Sequence, residues 1–295
     1  MKIGFVGLGA MGAPMAARLA AAGHAVAGFD MRAEAVAALA AAGGRAATNA
    51  ADAARGAELL WVMVVTGEQA RAVLFDAAAA AALPRGAIVA LGCTQPPALA
   101  QATSRELEAM GLVMLDAPVS GGARRAGDGS LTIMCSGDAT VFERARPVLE
   151  AMGQRVFDCG REIGLGSTAK MVNQLLCGVH IAAAAEAMHL AERAGMSLAT
   201  MHEIISVSAG NSWMWGDRGP RMMQDDPAVT SAADIFVKDL GIVLGEARAL
   251  KAGLPLAAAA MQMFLAASGL GHGAADDSQV IRAYRALNGA GAKKR

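Results

Sequence analysis

The chain has 295 residues, enough for one large domain or two ordinary ones at roughly 100–200 residues each. Lys and Arg number 26, as do Asp and Glu, so the formal net charge is zero; this excludes a general nucleic-acid binder and long-range steering of acidic partners. The composition is 55% hydrophobic, 18% charged and 4% aromatic, which excludes intrinsic disorder, and its many Ala residues point to closely packed helices.

In chain order, residues 3–6 form an apolar run leading into glycines, so a strand is expected there and a helix over 10–22. The opening Met1-Lys2-Ile3-Gly4 reads as a strand start rather than a signal peptide. A second strand is expected over 25–29 and a second helix over 33–42. Residues 59–65 are continuously apolar, as in a strand buried on both faces of a parallel sheet. Thr66-x-x-Gln69 then fits a capping box. Further strands are expected over 87–91, 112–115 and 131–135. This alternation predicts an α/β fold with a doubly wound parallel sheet.

After about Asp158 the pattern becomes helical: 167–194, 198–206, 232–251, 255–267 and 277–287, with breaks at Gly195, at 210–220 and at Gly253. No strand is expected from Gly164 onward. Residues 252–275 lack Asp, Glu, Lys and Arg, but Pro255, Gln262, Ser268 and several glycines make a buried helix the expectation, with no membrane partner. The predicted organisation is a Rossmann-type domain over 1–162 and an all-helical domain over 163–295, whose apolar character suggests self-association as a homodimer or homotetramer. Lys293-Lys294-Arg295 reads as a solvated end.

Cys93, Cys135, Cys159 and Cys177 are far apart and form no CxxC pair, so buried thiols in a reducing cytoplasm are expected rather than disulfides or structural zinc. His24, His180, His189, His202 and His272 show no ligand spacing, and no metal is expected.

Gly7-Leu8-Gly9-Ala10-Met11-Gly12 is a GxGxxG between a strand and a helix. Gly7 suits the tight turn, Gly9 leaves room for a pyrophosphate at the helix N-terminus, and Gly12 lets helix and strand pack closely. Asp30 ends the second predicted strand, placed to accept from ribose hydroxyls and to favour NAD over NADP; it also fits a plain turn or cap residue. Arg32 offers a cation that would partly restore NADP binding.

In Ser167-Thr168-Ala169-Lys170-Met171-Val172-Asn173-Gln174, Lys170 is the one charge between Ser167 and Ala185, and Asn173 and Gln174 share its helix face. Partial burial would favour the neutral amine that general acid–base work uses, although Lys170 taken alone also fits a snorkelling helix-end residue. Asp116-Ala117-Pro118-Val119-Ser120-Gly121-Gly122 follows a predicted strand; its hydroxyl and close-approaching backbone N–H groups suit a carboxylate, or simply a turn. Lys238, beside Asp239, would complete an anion site or form a solvated ion pair.

Together these four motifs, with Pro14-Met15-Ala16 after the first and Lys238-Asp239-Leu240 as the last, resemble the β-hydroxyacid dehydrogenase family related to 3-hydroxyisobutyrate dehydrogenase, over essentially the whole chain. Ser208 to Trp215, Ala233 to Gly241 and Gly271 to Ser278 are similar to its L-threonate-oxidising branch, where Gln174 replaces the family's second Asn. The resemblance implies Lys170 as the catalytic group, with Ser120, Gly121, Gly122, Asn173 and Lys238 at the substrate. For the cofactor it implies Gly7, Leu8, Gly9, Ala10, Met11, Gly12, Asp30, Arg32, Val64, Thr94 and Lys238. It further implies NAD-dependent oxidation of a short hydroxy acid, L-threonate at C2 to 2-dehydro-L-erythronate. The alternatives are 3-hydroxyisobutyrate dehydrogenase, tartronate semialdehyde reductase, and a dinucleotide-sensing module without chemistry, which would need neither Lys170 nor the Ser-Gly-Gly loop.

Overall fold

A computed structural model describes residues 1–289. The chain divides into two compact units, the first Met1–Lys170 and the second from Met171 onward.

The first unit is built on six parallel strands: β1 (Lys2–Val6), β2 (Ala25–Phe29), β3 (Arg45–Ala46), β4 (Leu59–Val62), β5 (Ile88–Leu91) and β6 (Val113–Asp116), in the order β3-β2-β1-β4-β5-β6. Side-chain alternation divides the strands between two cores. Ile3, Phe5, Leu59, Trp61, Ile88, Ala90 and Leu115 face one, while Val6, Leu60, Val62, Val89, Leu91 and Met114 face the other. Both faces are therefore apolar, and burying each such Leu, Ile or Phe contributes about 1.5–3 kcal/mol. Met15, Ala16 and Leu19 of the helix Gly12–Ala21 cover the first face, and Ala100 and Leu107 of Pro97–Ala109 the second.

Three expectations change here. The 59–65 strand ends at Val62, because the Thr66 side chain accepts from Gln69 N and opens the next helix with the capping box foreseen. The strand over 131–135 lies outside the main sheet: β7 (Val119–Ser120), β8 (Leu131–Cys135) and β9 (Gly153–Asp158) form a second sheet, with β7 antiparallel and β9 parallel to β8. β9 is a further strand, hidden in the sequence because Gln154, Arg155, Phe157 and Asp158 are exposed and carry no apolar alternation.

The second unit is helical. The 29-residue helix Leu165–Arg193 runs into it, and Ile181, Ala182, Ala185 and Met188 meet Phe236, Leu240, Val243, Phe264 and Ile281 in one core. Among the described residues this helix is the one long and apolar enough to cross a membrane by length and composition. Residues 252–275 do not make one long helix. Pro255–Ala267 is followed by a π-turn, Ser268–His272, containing Gly271 at φ +88°.

The expected break over 210–220 is instead a helix, Trp213–Met222. The Ser212 side chain caps Trp215 N, Met214, Trp215 and Met222 are buried, and Arg218 and Arg221 pair with fully buried Asp277 and Asp276 at 2.8 and 3.0 Å. Packing and ion pairs override the poor propensity of its two glycines and Pro220. Beyond Gly164, strand-like pairing among the described residues is limited to an isolated bridge, Ala232 with Asp276. The basic tail Lys293-Lys294-Arg295 lies outside the described residues.

Candidate active site

The strand order reverses between β2-β1 and β4, the position where open parallel sheets hold ligands at their carboxyl ends. Gly7 leaves β1 there with φ +95°, and its N–H donates to Phe29 O at 3.0 Å. A Cβ on Gly7 would lie 2.3 Å from Met63 O and 3.2 Å from Val64 Cγ1, so Val64 sits directly against the loop. A Cβ on Gly12 would be 1.9 Å from Gly7 O, which only a bare Cα permits. Gly9 is different: its Cβ position has nothing within 4 Å, an open approach at the start of the helix Gly12–Ala21. The three glycines thus provide the turn, the open face and the close packing that a pyrophosphate site needs.

Asp30 follows β2 and reaches back to the loop, accepting Leu8 N at 2.7 Å and Arg32 N at 2.9 Å. Arg32 Nε lies 3.0 Å from the same carboxylate, and Arg32 Nη2 donates to Leu8 O at 2.9 Å. Partial burial would raise the Asp30 carboxyl, but the hydrogen bonds from Arg32 and Leu8 outweigh it and hold it below its usual range. Arg32 is half exposed and clasps Asp30 rather than reaching away. Thr94 lies half-buried in the loop after β5, at the same end of the sheet.

Ser120 ends β7, paired with Thr132 on β8, and Gly121 and Gly122 follow with φ +134° and +70°. A side chain on Gly121 would strike Arg125. The strand leading into this loop carries a residue whose part the sequence motif hid. Asp116 accepts Ser167 N and Ser167 Oγ, both at 2.7 Å, and Gly164 N at 3.2 Å. Fully buried, it seats the first turn of the helix that bears Lys170. Burial pushes its carboxyl up to about 6, against the opposing hydrogen bonds from Ser167, Gly164 and Ser136. Lys170, one turn beyond Ser167, is itself buried at 8% exposure. A solvated, snorkelling lysine does not fit that burial.

In the second unit, Asn173, Gln174, Lys238 and Asp239 form one polar group. Gln174 Nε2 donates to Asp239 Oδ2 at 2.5 Å, Lys238 Nζ lies 2.8 Å from Asp239 Oδ1, and Asn173 Nδ2 donates to Gln174 Oε1 at 3.0 Å. Asp239 is 2% exposed, so the Lys238–Asp239 pair is not the solvated surface pair that its sequence context allows. Helical spacing hinted at Asn173 with Gln174, but nothing in the sequence ties Gln174 to Asp239, 65 residues away. All four cysteines are free thiols, and among the described residues no group of His, Cys, Asp and Glu could hold a metal ion.

The NAD binding domain of 6-phosphogluconate dehydrogenase matches residues 2–160, and the NAD-binding domain of NADP-dependent 3-hydroxyisobutyrate dehydrogenase matches residues 164–284. The chain is 48% identical to an L-threonate dehydrogenase of Cupriavidus necator over 96% of both chains. It is 46% identical to one of Escherichia coli, over 99% of this chain and 97% of the relative. A crystal structure of 3-hydroxyisobutyrate dehydrogenase from Salmonella typhimurium superposes with a TM-score of 0.90 at 45% identity, covering 95% of this chain and 98% of that one. With its glycine loop, Asp30 and full-length likeness to these dehydrogenases, the chain belongs to the NAD(P)-dependent β-hydroxyacid dehydrogenase family related to 3-hydroxyisobutyrate dehydrogenase.

Proposed function

We propose that the protein oxidises L-threonate at C2 to 2-dehydro-L-erythronate with NAD, using Lys170 as general acid–base. The observation that carries the substrate is its near-half identity to L-threonate dehydrogenases over almost the whole of both chains. Lys170 supports the chemistry: it is a buried amine on a helix whose first turn is fixed by Asp116. Lys170 Nζ takes the C2 hydroxyl proton as the hydride leaves C2. When bound, the nicotinamide supplies the hydride acceptor. Ser120 Oγ and the backbone N–H groups of Gly121 and Gly122 are assigned to the substrate carboxylate, and Asn173 and Lys238 are assigned to substrate binding. Gly7 to Gly12, with Val64 and Thr94, cradle the dinucleotide, Asp30 accepts from its ribose, and Arg32 moderates the repulsion of a 2′-phosphate.

The functional division is an NAD-binding domain over 1–162 and an all-helical substrate and dimerisation domain over 163–295. The protein acts in the cytoplasm as a homodimer or homotetramer. A second reading, 3-hydroxyisobutyrate as substrate, is favoured by the Salmonella structure, which carries that name at 45% identity. NADH formation with L-threonate, 3-hydroxyisobutyrate, D-glycerate and serine, repeated with NADP, tests both. L-Threonate with NAD should have the highest kcat/KM. Good turnover of another acid with none of L-threonate overturns the assignment.

A further inference from the structure

We propose that Asp239 and Gln174 fix the sense of the Asn173 amide so that it offers a carbonyl oxygen to the substrate, and that this oxygen selects acids with a second hydroxyl beside the reacting one. The inference rests on the reading above, in which Asn173 faces the substrate and Lys170 takes the reacting proton.

An amide side chain has a donor end and an acceptor end, and its environment decides which faces where. The anchor here is unambiguous. Asp239 is paired through Oδ1 with Lys238 Nζ at 2.8 Å, so it can only accept. Gln174 must therefore turn its NH2 toward Asp239, and does so at 2.5 Å. Its carbonyl then points the other way and accepts Asn173 Nδ2 at 3.0 Å. The second contact of that NH2 is Cys177 Sγ, one helical turn on, at 3.4 Å. Both Asn173 N–H groups are thus engaged by Gln174 and Cys177, which leaves Oδ1 as the atom the amide can offer to a ligand. Reversing Asn173 would set two carbonyl oxygens against each other, and the relay from Asp239 forbids Gln174 from turning to relieve it.

Proton counting then limits what Asn173 can recognise. The reacting hydroxyl has one proton, and in oxidation it passes to Lys170. An acceptor at Asn173 cannot share it. It can hold a hydroxyl whose proton stays in place, and the nearest such group lies on the neighbouring carbon. The two lone pairs of Oδ1 also let it take an N–H from Lys170, three residues earlier on the same helix face. A methyl group on the neighbouring carbon would leave the oxygen without that partner, and sites built for a hydroxyl discriminate strongly against analogues lacking it. The class selected is a vicinal dihydroxy acid.

The test compares L-threonate with its 3-deoxy analogue, 2,4-dihydroxybutanoate of the same C2 configuration, in the wild type and in Gln174→Met. The wild type should prefer L-threonate by about tenfold or more in kcat/KM, the worth of one good hydrogen bond. Gln174→Met should bring the two acids within about threefold, mainly through a higher KM for L-threonate. Asp239→Asn, which keeps the volume but can donate or accept, should shift the ratio the same way; it decides the matter alone if Gln174→Met fails to fold by thermal unfolding and NADH titration. An unchanged ratio in the folded variants, or equal use of both acids by the wild type, overturns the inference. Lys170→Ala run alongside separates the failures. Retained turnover in that variant means the acid–base reading has failed, whereas lost turnover there with an unchanged ratio in Gln174→Met overturns the relay alone. No turnover of either acid by the wild type removes the substrate reading and the inference with it.

Discussion

The two units equip their polar sites in opposite ways. In the first, recognition is written in the main chain: a glycine turn whose Cβ positions are either blocked or wholly open, aligned strand ends, and one carboxylate reaching back to Leu8 N. In the second it is written in side chains, where Asp239, Gln174 and Asn173 pass a donor–acceptor sense along a relay. At Gly7 and Gly12 the backbone site tolerates almost no change, because the obstacle is another main-chain atom. A side-chain site can be altered without a clash between main-chain atoms, and so can change what it prefers.

The largest effect should come from Lys170→Ala, which bridges the comparison by removing the chemistry and sparing both forms of recognition. Its kcat should fall about 10²–10⁴-fold, the usual worth of general acid–base catalysis, with NAD affinity nearly kept. Stopped-flow turnover beside an NADH titration measures both; near-normal turnover breaks the assignment. Next is Gly12→Ala. Its Cβ would meet Gly7 O at 1.9 Å, so urea unfolding should show a loss of about 3 kcal/mol or more, together with loss of dinucleotide binding. A stable variant that binds NAD would mean that the loop has slack the blocked positions do not suggest.

Asp116 tests the seat beneath the catalytic helix. Burial raises its carboxyl to about 6, above the ordinary unfolded value near 3.8. Such a group favours the folded state most when protonated, so this stability is present at low pH and lost as pH rises from about 4 through about 6. Measured against Asp116→Asn, the wild type should lose about 3 kcal/mol across that window. A difference that is flat with pH would refute the shift. The smallest effect belongs to Arg32→Ala. Its pairing with Asp30 is solvent-exposed, so NAD affinity should change a few-fold at most while NADP binding weakens more. Equal losses for both would remove Arg32 from cofactor choice.

The first unit was largely legible because its signals are local. The loop Gly7 to Gly12, the capping box at Thr66 and the apolar runs of β4 and β5 each state their structure within a few residues. β9 was not, because its exposed residues Arg155 and Asp158 carry no period and its pairing with β8 is decided across the helix and turn of residues 136–152. In the second unit the helix Trp213–Met222 was obscured by its Gly and Pro residues, and the buried partners of Arg218 and Arg221 lie more than 50 residues away. At the site itself, Lys170 and Asn173 stood out by helical spacing. Asp116 as a seat and Asp239 as an anchor did not, since each acts on a residue distant in sequence.

The seat has a consequence for redesign. A side chain at Gly166 would meet Met134 O at 2.5 Å and Asp116 O at 2.6 Å, and Gly164 holds φ +101°. Library mutagenesis aimed at new substrates would waste its diversity around residues 164–167, where most replacements unseat the helix before they can alter selectivity. The productive positions are Asn173, Gln174 and Asp239, three side chains within one unit joined by hydrogen bonds rather than by main-chain contacts. An enzyme for deoxy or methyl-bearing acids is most directly sought there.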